Sequence, residues 1–232
     1  MYDKYLKRVI DIILSFSALV VLLPVLILLT VIGAIAMRGN PFFMQPRPGK
    51  IDPKTQKEKI FRLVKFRTMS NKKDKNGNLL PDHIRLNRYG RILRNTSLDE
   101  LPELWNILKG DLSIVGPRPQ LVRDMTFMSD EQRRRHSVRP GLTGLAQVSG
   151  RNNITWEQKF EYDLQYIDNG ITFANDMIII LKTVFAVLKG ADTTRDGTAS
   201  DTDFGDWLLA KGEIDQDTYD AKQAEAKELL EV

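Results

Sequence analysis

The feature that most constrains the fold of this chain is an uncharged apolar run near the N-terminus. Residues 12–37 carry no charged side chain over about 26 positions, whereas a helix that spans a bilayer needs about 20 apolar residues. The run is longer than the apolar region of a signal peptide, and no clear cleavage pattern follows it. We therefore expect a retained membrane segment that carries a soluble body.

Pro24 lies near the centre of this run. Proline lacks an amide hydrogen and crowds the carbonyl four residues earlier, so it kinks or breaks a helix. Basic residues flank the run on both sides, with Lys7 and Arg8 before it and Arg38 and Arg47 after it. Because basic flanks mark the cytoplasmic side, this symmetry favours a segment that enters and leaves by one face, and an ordinary kinked span is the alternative.

Composition limits the chemistry of the body. The 232 residues include no cysteine and two histidines, which excludes a disulfide framework, a thiolate metal site and a histidine-rich zinc site. Any metal must therefore be held by oxygen ligands. The net charge of +4 understates how basic the body is, because basic residues concentrate before residue 151 and the tail after residue 189 is mostly acidic.

Glycine and proline divide the body into short elements. We predict turns at residues 39–41 and 47–50, a basic strand at 59–69, a loop at 71–82, a short helix at 85–92 and a strand at 112–115. A capping box formed by Thr155 and Gln158 begins a core helix. The apolar stretch at 171–189 predicts a core helix or one in the bilayer interface, and we favour the interface because the body must sit close to the membrane.

The stretch RNTSLDELPELWNILKGDLSIVGPRP is the most informative in the chain. Thr96 and Ser97 each precede an acidic residue by three positions, which predicts overlapping capping boxes and a helix with Asp99 and Glu100 in its first turn. Taken alone, these carboxylates could simply cap the helix and favour its dipole.

Arginines near the two carboxylates suggest a phosphate site. Arg94 lies just before them, and Arg118 stands between two prolines, which stiffen its backbone as a fixed phosphate-binding guanidinium requires. Magnesium prefers hard oxygen ligands and few protein carboxylates. We therefore predict a Mg²⁺-bound phosphate ester, with Asp99 and Glu100 as candidate metal ligands.

A second basic region reads EQRRRHSVRPGLTGLAQVSGRN and contains Arg139 and Arg151. Its glycines would let backbone amides approach an anion that the arginines neutralise. For the three arginines at 133–135, a solvated helix face is an equal alternative, and near a membrane they could also meet anionic headgroups.

At these residues the sequence resembles bacterial sugar transferases of the monotopic phosphoglycosyl transferase family, and within it the small PglC type that starts protein N-glycosylation. The resemblance runs from about residue 7 to residue 189 and includes KFRTM, SLDELPELWNILKGDLSIVGPRP and RPGLTGLAQVSGRN in the right order. Three long motifs in order are a far more specific signal than any one of them.

This resemblance implies a reaction. Asp99 would attack the β-phosphate of a UDP-sugar to give a phosphosugar-aspartyl intermediate and UMP. Membrane polyprenyl (undecaprenyl) phosphate would then take the phosphosugar, with Mg²⁺ as cofactor, in the first membrane step of glycoconjugate and polysaccharide assembly. Glu100 would bind the metal or assist the acceptor, and Arg94 would hold the acceptor phosphate. The candidates for binding substrate phosphates are Lys65, Arg67, Arg94, Arg118, Arg139 and Arg151.

The resemblance also implies an architecture. We expect a mostly helical α/β (α+β) fold with short strands, interfacial amphipathic helices and an N-terminal re-entrant helix–break–helix, on the cytoplasmic face of the bacterial inner (plasma) membrane. The family's hairpin bends at a Ser-Pro pair, where this chain has Leu23-Pro24. The expected parts are a re-entrant membrane helix at residues 1–38, a catalytic domain at 39–190, and a polar linker with a C-terminal helical hairpin at 191–232.

The tail after residue 191 falls outside the resemblance. It predicts two short helices hinged at residues 211–213, similar to hairpins that bacterial proteins use for self-association, which suggests a homo-oligomer. A loosely folded acidic tail fits its length and polarity equally well.

Two further functions stay open beside phosphosugar transfer. A glycosyl transferase that moves only the sugar would release UDP, and a non-catalytic membrane scaffold would bind anionic lipid through its arginines. Nucleic-acid binding fits poorly, since a lipid-inserted segment and carboxylates beside the basic cleft both disfavour it.

Overall fold

A computed structural model describes residues 1–150, 154–188 and 202–231, and it is a mixed α/β protein with short strands, as predicted. The helices are α1 (Lys7–Val21, after a π-helical turn at Tyr2–Leu6), α2 (Leu23–Met37), α3 (Asp82–Arg85), α4 (Arg88–Thr96), α5 (Glu103–Lys109), α6 (Val122–Met125), α7 (Asp130–Arg133), α8 (Leu145–Gly150), α9 (Trp156–Asp168), α10 (Phe173–Leu188), α11 (Phe204–Lys211) and α12 (Gln216–Glu231). The strands are β1 (Phe42–Ile51), β2 (Glu58–Phe66), β3 (Ser113–Val115) and β4 (Gly141–Thr143), and 3₁₀ turns cover Leu98–Glu100 and Arg134–Ser137.

Pro24 breaks the apolar run as predicted. Helices α1 and α2 meet at Leu22 with a bend of 64°. Pro24 lies in the first turn of α2, where its missing amide hydrogen has no helical partner to lose. Among the described residues no single helix is long and apolar enough to cross a membrane, whereas this bent pair meets that test of length and composition.

Charged side chains hold α1 to the body. Arg8 donates hydrogen bonds to the carbonyl oxygens of Ile107 and Leu108 at the end of α5, at 2.6 and 2.9 Å. The buried carboxylate of Asp11 accepts from the backbone amide of Ile114 in β3, at 3.0 Å. Ala18 and Leu19 of α1, and Leu22 directly after it, also pack against the core of the body. Helix α1 and the body therefore share one core.

Strands β1 and β2 form an antiparallel ribbon in which Phe42 lies opposite Phe66. The strand predicted at residues 59–69 is confirmed as β2, but the turn predicted at 47–50 is wrong, because those residues continue β1. Pro46 and Pro48 both lie within this strand. A two-stranded ribbon has only edge strands, and edge strands tolerate proline.

The capping boxes predicted at Thr96 and Ser97 are wrong. Helix α4 continues through Thr96, whose hydroxyl donates to carbonyls of its own helix. Ser97 adopts a left-handed φ of 55° and caps the C-terminus of α4. The 3₁₀ turn follows at once, and α5 begins only at Glu103. The two candidate carboxylates therefore lie in a tight connection between helices.

Strand β3 confirms the strand predicted at 112–115 and pairs in parallel with β4. It leads directly into the loop that carries Arg118. A Cβ atom on Gly116 would lie 2.5 Å from the carbonyl oxygen of Arg139, so a larger residue would push the two backbones apart. Glycine is needed where this loop leaves the sheet.

The C-terminal predictions are largely confirmed. Helix α9 starts at the Thr155–Gln158 capping box and buries Trp156 and Phe160. Helices α11 and α12 turn at Gly212, which has a φ of 72°. Because both pack against the body, the alternative of a loosely folded tail is wrong. The predicted boundary at residue 190 lies outside the described residues.

Helix α10 leaves an apolar face uncovered. The exposed side chains are Phe173, Ile178, Leu181, Val184, Phe185 and Val187. Such a face suits a helix that lies in the bilayer interface, and that placement stays a prediction.

Arg8 generates a test of how α1 is anchored. Arg8→Ala removes two charge-assisted hydrogen bonds to the end of α5, so we expect a loss of about 1.5–3 kcal/mol in the free energy of unfolding. Thermal unfolding in detergent measures it. Lys4→Ala, at an exposed position of the same segment, should change stability by less than about 0.5 kcal/mol. Equal stability of the two variants would contradict the anchoring role of Arg8.

Candidate active site

A cavity of about 870 Å³ lies beside the 3₁₀ turn that carries Asp99 and Glu100. Six of the eight predicted site residues line it: Lys65, Arg67, Arg94, Asp99, Glu100 and Arg118. Arg139 is not among the lining residues, and its Nε donates to the carbonyl of Gly110 at 3.2 Å. Arg151 lies outside the described residues. Residues from β2, α4, the 3₁₀ turn and the β3 loop thus converge on one cavity.

Glu100 is clamped by two cations. The ammonium of Lys65 lies 2.8 Å from Oε1 of Glu100, and Nη2 of Arg118 donates to the same oxygen. Burial alone would raise the pKa of Glu100, but the charges of Arg118 and Lys65 outweigh burial and hold it well below its usual range. The charge of Glu100 in turn raises the pKa of Arg118. Glu100 therefore stays ionised and fixes both cations at the cavity wall.

Lys65 also reaches a second carboxylate. Its Nζ lies 3.0 Å from Oε1 of Glu103, which opens helix α5 and is 1% exposed. Burial raises the pKa of Glu103, and the charge of Lys65 opposes the rise. Lys65 is thus positioned by two successive turns of the chain.

Asp99 is in the opposite electrostatic state. Burial first, and the charge of Glu100 second, raise the pKa of Asp99 from 3.8 to about 6, although Lys65 and Arg118 oppose the shift. Its carboxylate has no hydrogen-bond or ion-pair partner among the described residues. Two adjacent carboxylates therefore have pKa values that are pushed apart, which is typical of paired acidic groups in active sites. Two cations hold Glu100, whereas Asp99 lines the cavity without such a partner in the part of the chain that the structure describes.

Arg94 reaches the cavity from the last turn of α4. Its Nε donates to the hydroxyl of Thr68 at 3.0 Å, and its Nη2 lies 3.0 Å from the sulfur of Met69. These contacts hold the guanidinium at the cavity wall, where its charge opposes the rise in the pKa of Asp99.

Arg47 is a cavity residue that the sequence analysis missed. It donates to the carbonyl of Pro119 at 3.1 Å and to Gln45 at 2.7 Å, while its Nε is buried without a hydrogen bond. Burial first, and the charge of Arg118 second, lower its pKa to about 10. Gln45 and Arg47 are two positions apart on a strand and so share one face, a signal that the wrong turn prediction concealed.

The arginines at 133–135 do not line the cavity. Arg133 pairs with Glu58, and Arg135 pairs with the buried carboxylate of Asp163 at 2.6 Å. Arg135 also donates to the backbone carbonyl of Arg118 at 2.6 Å. These charges are compensated within the protein, and one of them supports the Arg118 loop.

The carboxylates of the cavity determine whether it can hold Mg²⁺. Within residues 1–150, 154–188 and 202–231, no group of three acidic or histidine side chains could hold a metal ion. Magnesium bound to nucleotide phosphates usually needs only one or two protein carboxylates. Lys65 and Arg118 both bind Oε1 of Glu100, so Oε2 of Glu100 and the carboxylate of Asp99 fit a metal that is completed by substrate phosphate oxygens.

Comparison with known proteins gives consistent matches. The bacterial sugar transferase family matches residues 2–190. The uncharacterized sugar transferase EpsL of Bacillus subtilis (strain 168) is 46% identical over 198 residues, which cover 84% of this chain and 94% of that protein. The UDP-galactose-lipid carrier transferase of Erwinia amylovora is 33% identical over 204 residues, and the undecaprenyl-phosphate galactose phosphotransferase of Salmonella typhimurium is 35% identical over 205. These two alignments cover 81% of this chain but only 41% of each of those proteins.

The opposite states of the two carboxylates generate a stability test. Because the pKa of Asp99 is about 6 when folded and 3.8 ordinarily, ionising it above pH 6 costs the folded state about 3 kcal/mol. Asp99→Asn removes that cost, so the free energy of unfolding at pH 7.5 should rise by about 2–3 kcal/mol. The gain should shrink as the pH falls towards 4, because wild-type Asp99 is then protonated.

Glu100→Gln is the matched control for that experiment. It should lower stability at pH 7.5, because it leaves Lys65 and Arg118 without their shared carboxylate. Denaturant unfolding in detergent at pH 7.5 and 4.5 measures both variants. Changes of the same sign in both, or a gain for Asp99→Asn that is independent of pH, would contradict the assigned charge states.

Proposed function

The chain belongs to the bacterial sugar transferase family, and we propose that it transfers a phosphosugar from a UDP-sugar to polyprenyl (undecaprenyl) phosphate. The observation that carries the proposal is the free carboxylate of Asp99 in a cationic cavity, beside a neighbour that is already clamped by Lys65 and Arg118. The names of the Erwinia and Salmonella relatives, a lipid carrier transferase and a phosphotransferase, support the same class of reaction.

Asp99 acts as the nucleophile in the first half-reaction. One carboxylate oxygen attacks the β-phosphorus of the UDP-sugar, and the bond from that phosphorus to the oxygen bridging the two phosphates breaks. UMP leaves with the bridging oxygen, and the sugar phosphate remains on Asp99 as an acyl phosphate. A carboxylate needs no general base to attack phosphorus, only an ionised form and a fixed position. Arg118 and Lys65 stabilise the charge on the transferred phosphoryl group.

Asp99 and Glu100 are the residues that would hold Mg²⁺ together with the donor phosphates. When bound, the metal supplies positive charge to the diphosphate and so favours departure of UMP. Arg67 and the partly buried Arg47 add cationic groups on the ribbon side of the cavity for the remaining phosphate charge.

The acceptor completes the second half-reaction. A phosphate oxygen of polyprenyl phosphate attacks the phosphorus on Asp99, which frees the carboxylate and leaves polyprenyl-diphosphate-sugar. Arg94, whose charge also opposes the rise in the pKa of Asp99, is assigned to the acceptor phosphate. The cavity also has an apolar wall where α8 and α10 meet, lined by Ala146, Ile180, Val184 and Val187, and this wall suits the prenyl end of a lipid substrate.

The cytoplasmic face of the inner membrane is the proposed location. Both arms of the bent pair contact the body: Asp11 of α1 accepts from Ile114, while the carbonyl of Leu29 in α2 accepts from the hydroxyl of Tyr89 at 2.9 Å. Contacts along both arms favour a re-entrant hairpin over a kinked span, since a span would carry α2 away from the body. The basic flanks on both sides support a cytoplasmic location for the two ends.

Nucleotide release tests the chemistry. Purified protein in nanodiscs, given UDP-sugars, Mg²⁺ and undecaprenyl phosphate, should release UMP, and Asp99→Asn should lose at least about 10³-fold in rate. Asp217→Asn, at an exposed position of α12, is the matched control and should retain full activity. Without acceptor, labelled UMP should exchange into UDP-sugar, as a covalent intermediate requires.

Other nucleotide outcomes contradict the proposal. Release of UDP would indicate simple sugar transfer. Release of UMP by Asp99→Asn at the wild-type rate would exclude Asp99 as the nucleophile. No nucleotide from any donor in a panel of UDP-sugars would favour the lipid-binding scaffold.

Thiol labelling tests the membrane arrangement. The chain contains no cysteine, so single cysteines at positions 2 and 5 are the only targets. In intact cells they should stay unlabelled by a reagent that does not cross the inner membrane, and they should react after permeabilisation. Labelling of either position in intact cells would contradict a hairpin with both ends in the cytoplasm.

A further inference from the structure

The C-terminal hairpin folds outside the family match but packs against the catalytic body. The match ends at residue 190, and α11 begins at Phe204. The ring of Phe204 lies in an aromatic cluster with Trp156 and Phe160, at centroid distances of 5.1 and 5.0 Å. A Cβ atom on Gly205 would lie 2.5 Å from the ring of Phe127, so α11 sits directly on the body. This is a specific docking contact and not a loose tail.

The start of the hairpin also reaches the cavity. Thr202 and Asp203 are among the residues that line it. The indole N–H of Trp156 donates to the backbone carbonyl of Thr202 at 3.1 Å, and Asp203 forms an ion pair with Arg123. One wall of the cavity therefore comes from a segment that the family motifs do not include.

One chain of contacts runs from Phe204 to the Arg118 loop through Asp124. The backbone amide of Phe204 donates to Oδ1 of Asp124 at 2.9 Å. The other carboxylate oxygen accepts from the amide of Leu121 at 3.1 Å. Asp124 is 2% exposed, so a lost donor cannot be replaced freely by water. Leu121 follows Arg118 by three positions, so this carboxylate ties the hairpin to the loop.

A second chain of contacts reaches the same loop through Arg135. Phe204 packs edge-on against Phe160, and the guanidinium of Arg135 lies 5.7 Å from the centre of the Phe160 ring. Arg135, which is 1% exposed, donates to the carbonyl of Arg118. Removing the Phe204 ring would open space beside Phe160 and loosen the support of Arg135.

We propose that docking of the C-terminal hairpin through Phe204 positions the catalytic site. Phe204 is the positioning residue, because its docking fixes the loop that presents Arg118 to Glu100 and to the transferred phosphoryl group. The proposal rests on the proposed phosphosugar transfer. It implies that the cavity is complete only when the hairpin is docked.

A double-mutant cycle in the full-length chain tests the proposal. Phe204→Ala should lower kcat for UMP release about tenfold, with a donor KM that changes less than about threefold, because misplacing a transition-state group affects kcat most. Phe204→Leu should recover most of the rate. In an Arg118→Lys background, Phe204→Ala should cost less than about twofold more, since both changes act on one interaction. Lys222→Ala, in an exposed pair of α12, should match wild type.

Hydrogen exchange provides a readout that does not depend on the reaction. The amide of Leu121 should exchange about tenfold faster in Phe204→Ala than in wild type, while the amides of the β1–β2 ribbon stay unchanged. Independent, multiplying losses in the cycle would overturn the proposal, as would unchanged exchange at Leu121. If wild type releases no UMP, the proposed function fails, and exchange at Leu121 still decides whether the hairpin holds the loop.

Discussion

The shared carboxylate of Glu100 is the interaction on which this site depends. A charge removed from water is costly unless it is paired, and Glu100 has two cations within hydrogen-bonding distance. Lys65 comes from β2 and Arg118 from the loop after β3, so the pair forms only when the ribbon and the parallel strands are both in place. Their charges are partly neutralised by Glu100, and Asp99 lies next to this fixed negative charge with no hydrogen-bond or ion-pair partner among the described residues. The clamp therefore explains the lowered pKa of Glu100 and, after burial, contributes to the raised pKa of Asp99.

Strand β3 connects this clamp to the membrane segment. Asp11 of α1 accepts from the amide of Ile114, and two residues later the chain enters the loop of Arg118. The loop is then held by side chains from two directions, since Arg47 donates to the carbonyl of Pro119 and Arg135 to that of Arg118. A side chain that must meet a phosphoryl group gains from a backbone that cannot shift. The position of helix α1 and that of Arg118 are thus set through one short strand.

Local signals in the sequence predicted local structure well. Pro24 and Gly212 act through their own backbone conformation, and the Thr155–Gln158 capping box acts through hydrogen bonds three residues apart; each produced the predicted break, turn or start. The motif around Asp99 predicted the carboxylates of the cavity. The capping boxes at Thr96 and Ser97 failed because the helix before them continues and uses the threonine hydroxyl itself.

Pairing between distant residues could not be predicted in the same way. Arg135 and Asp163 are 28 positions apart, and Lys65 and Glu100 are 35 apart. Which arginine of a basic run meets substrate and which meets a buried carboxylate depends on these partners, and no local pattern specifies them. For the same reason the opposite pKa shifts of Asp99 and Glu100 follow from the fold, although the two residues are adjacent in the chain and differ by one methylene.

Asp124 links the sequence of the body to the presence of the C-terminal hairpin. Its buried carboxylate accepts one amide from the catalytic body and one from the C-terminal segment. A buried carboxylate oxygen without a donor is unfavourable, so a relative that lacks this segment must supply another donor at that point or replace the aspartate. Asp124 lies outside both the family motifs and the C-terminal segment, but it accepts a hydrogen bond from each side. The position of the Arg118 loop therefore depends on both the body and the C-terminal segment.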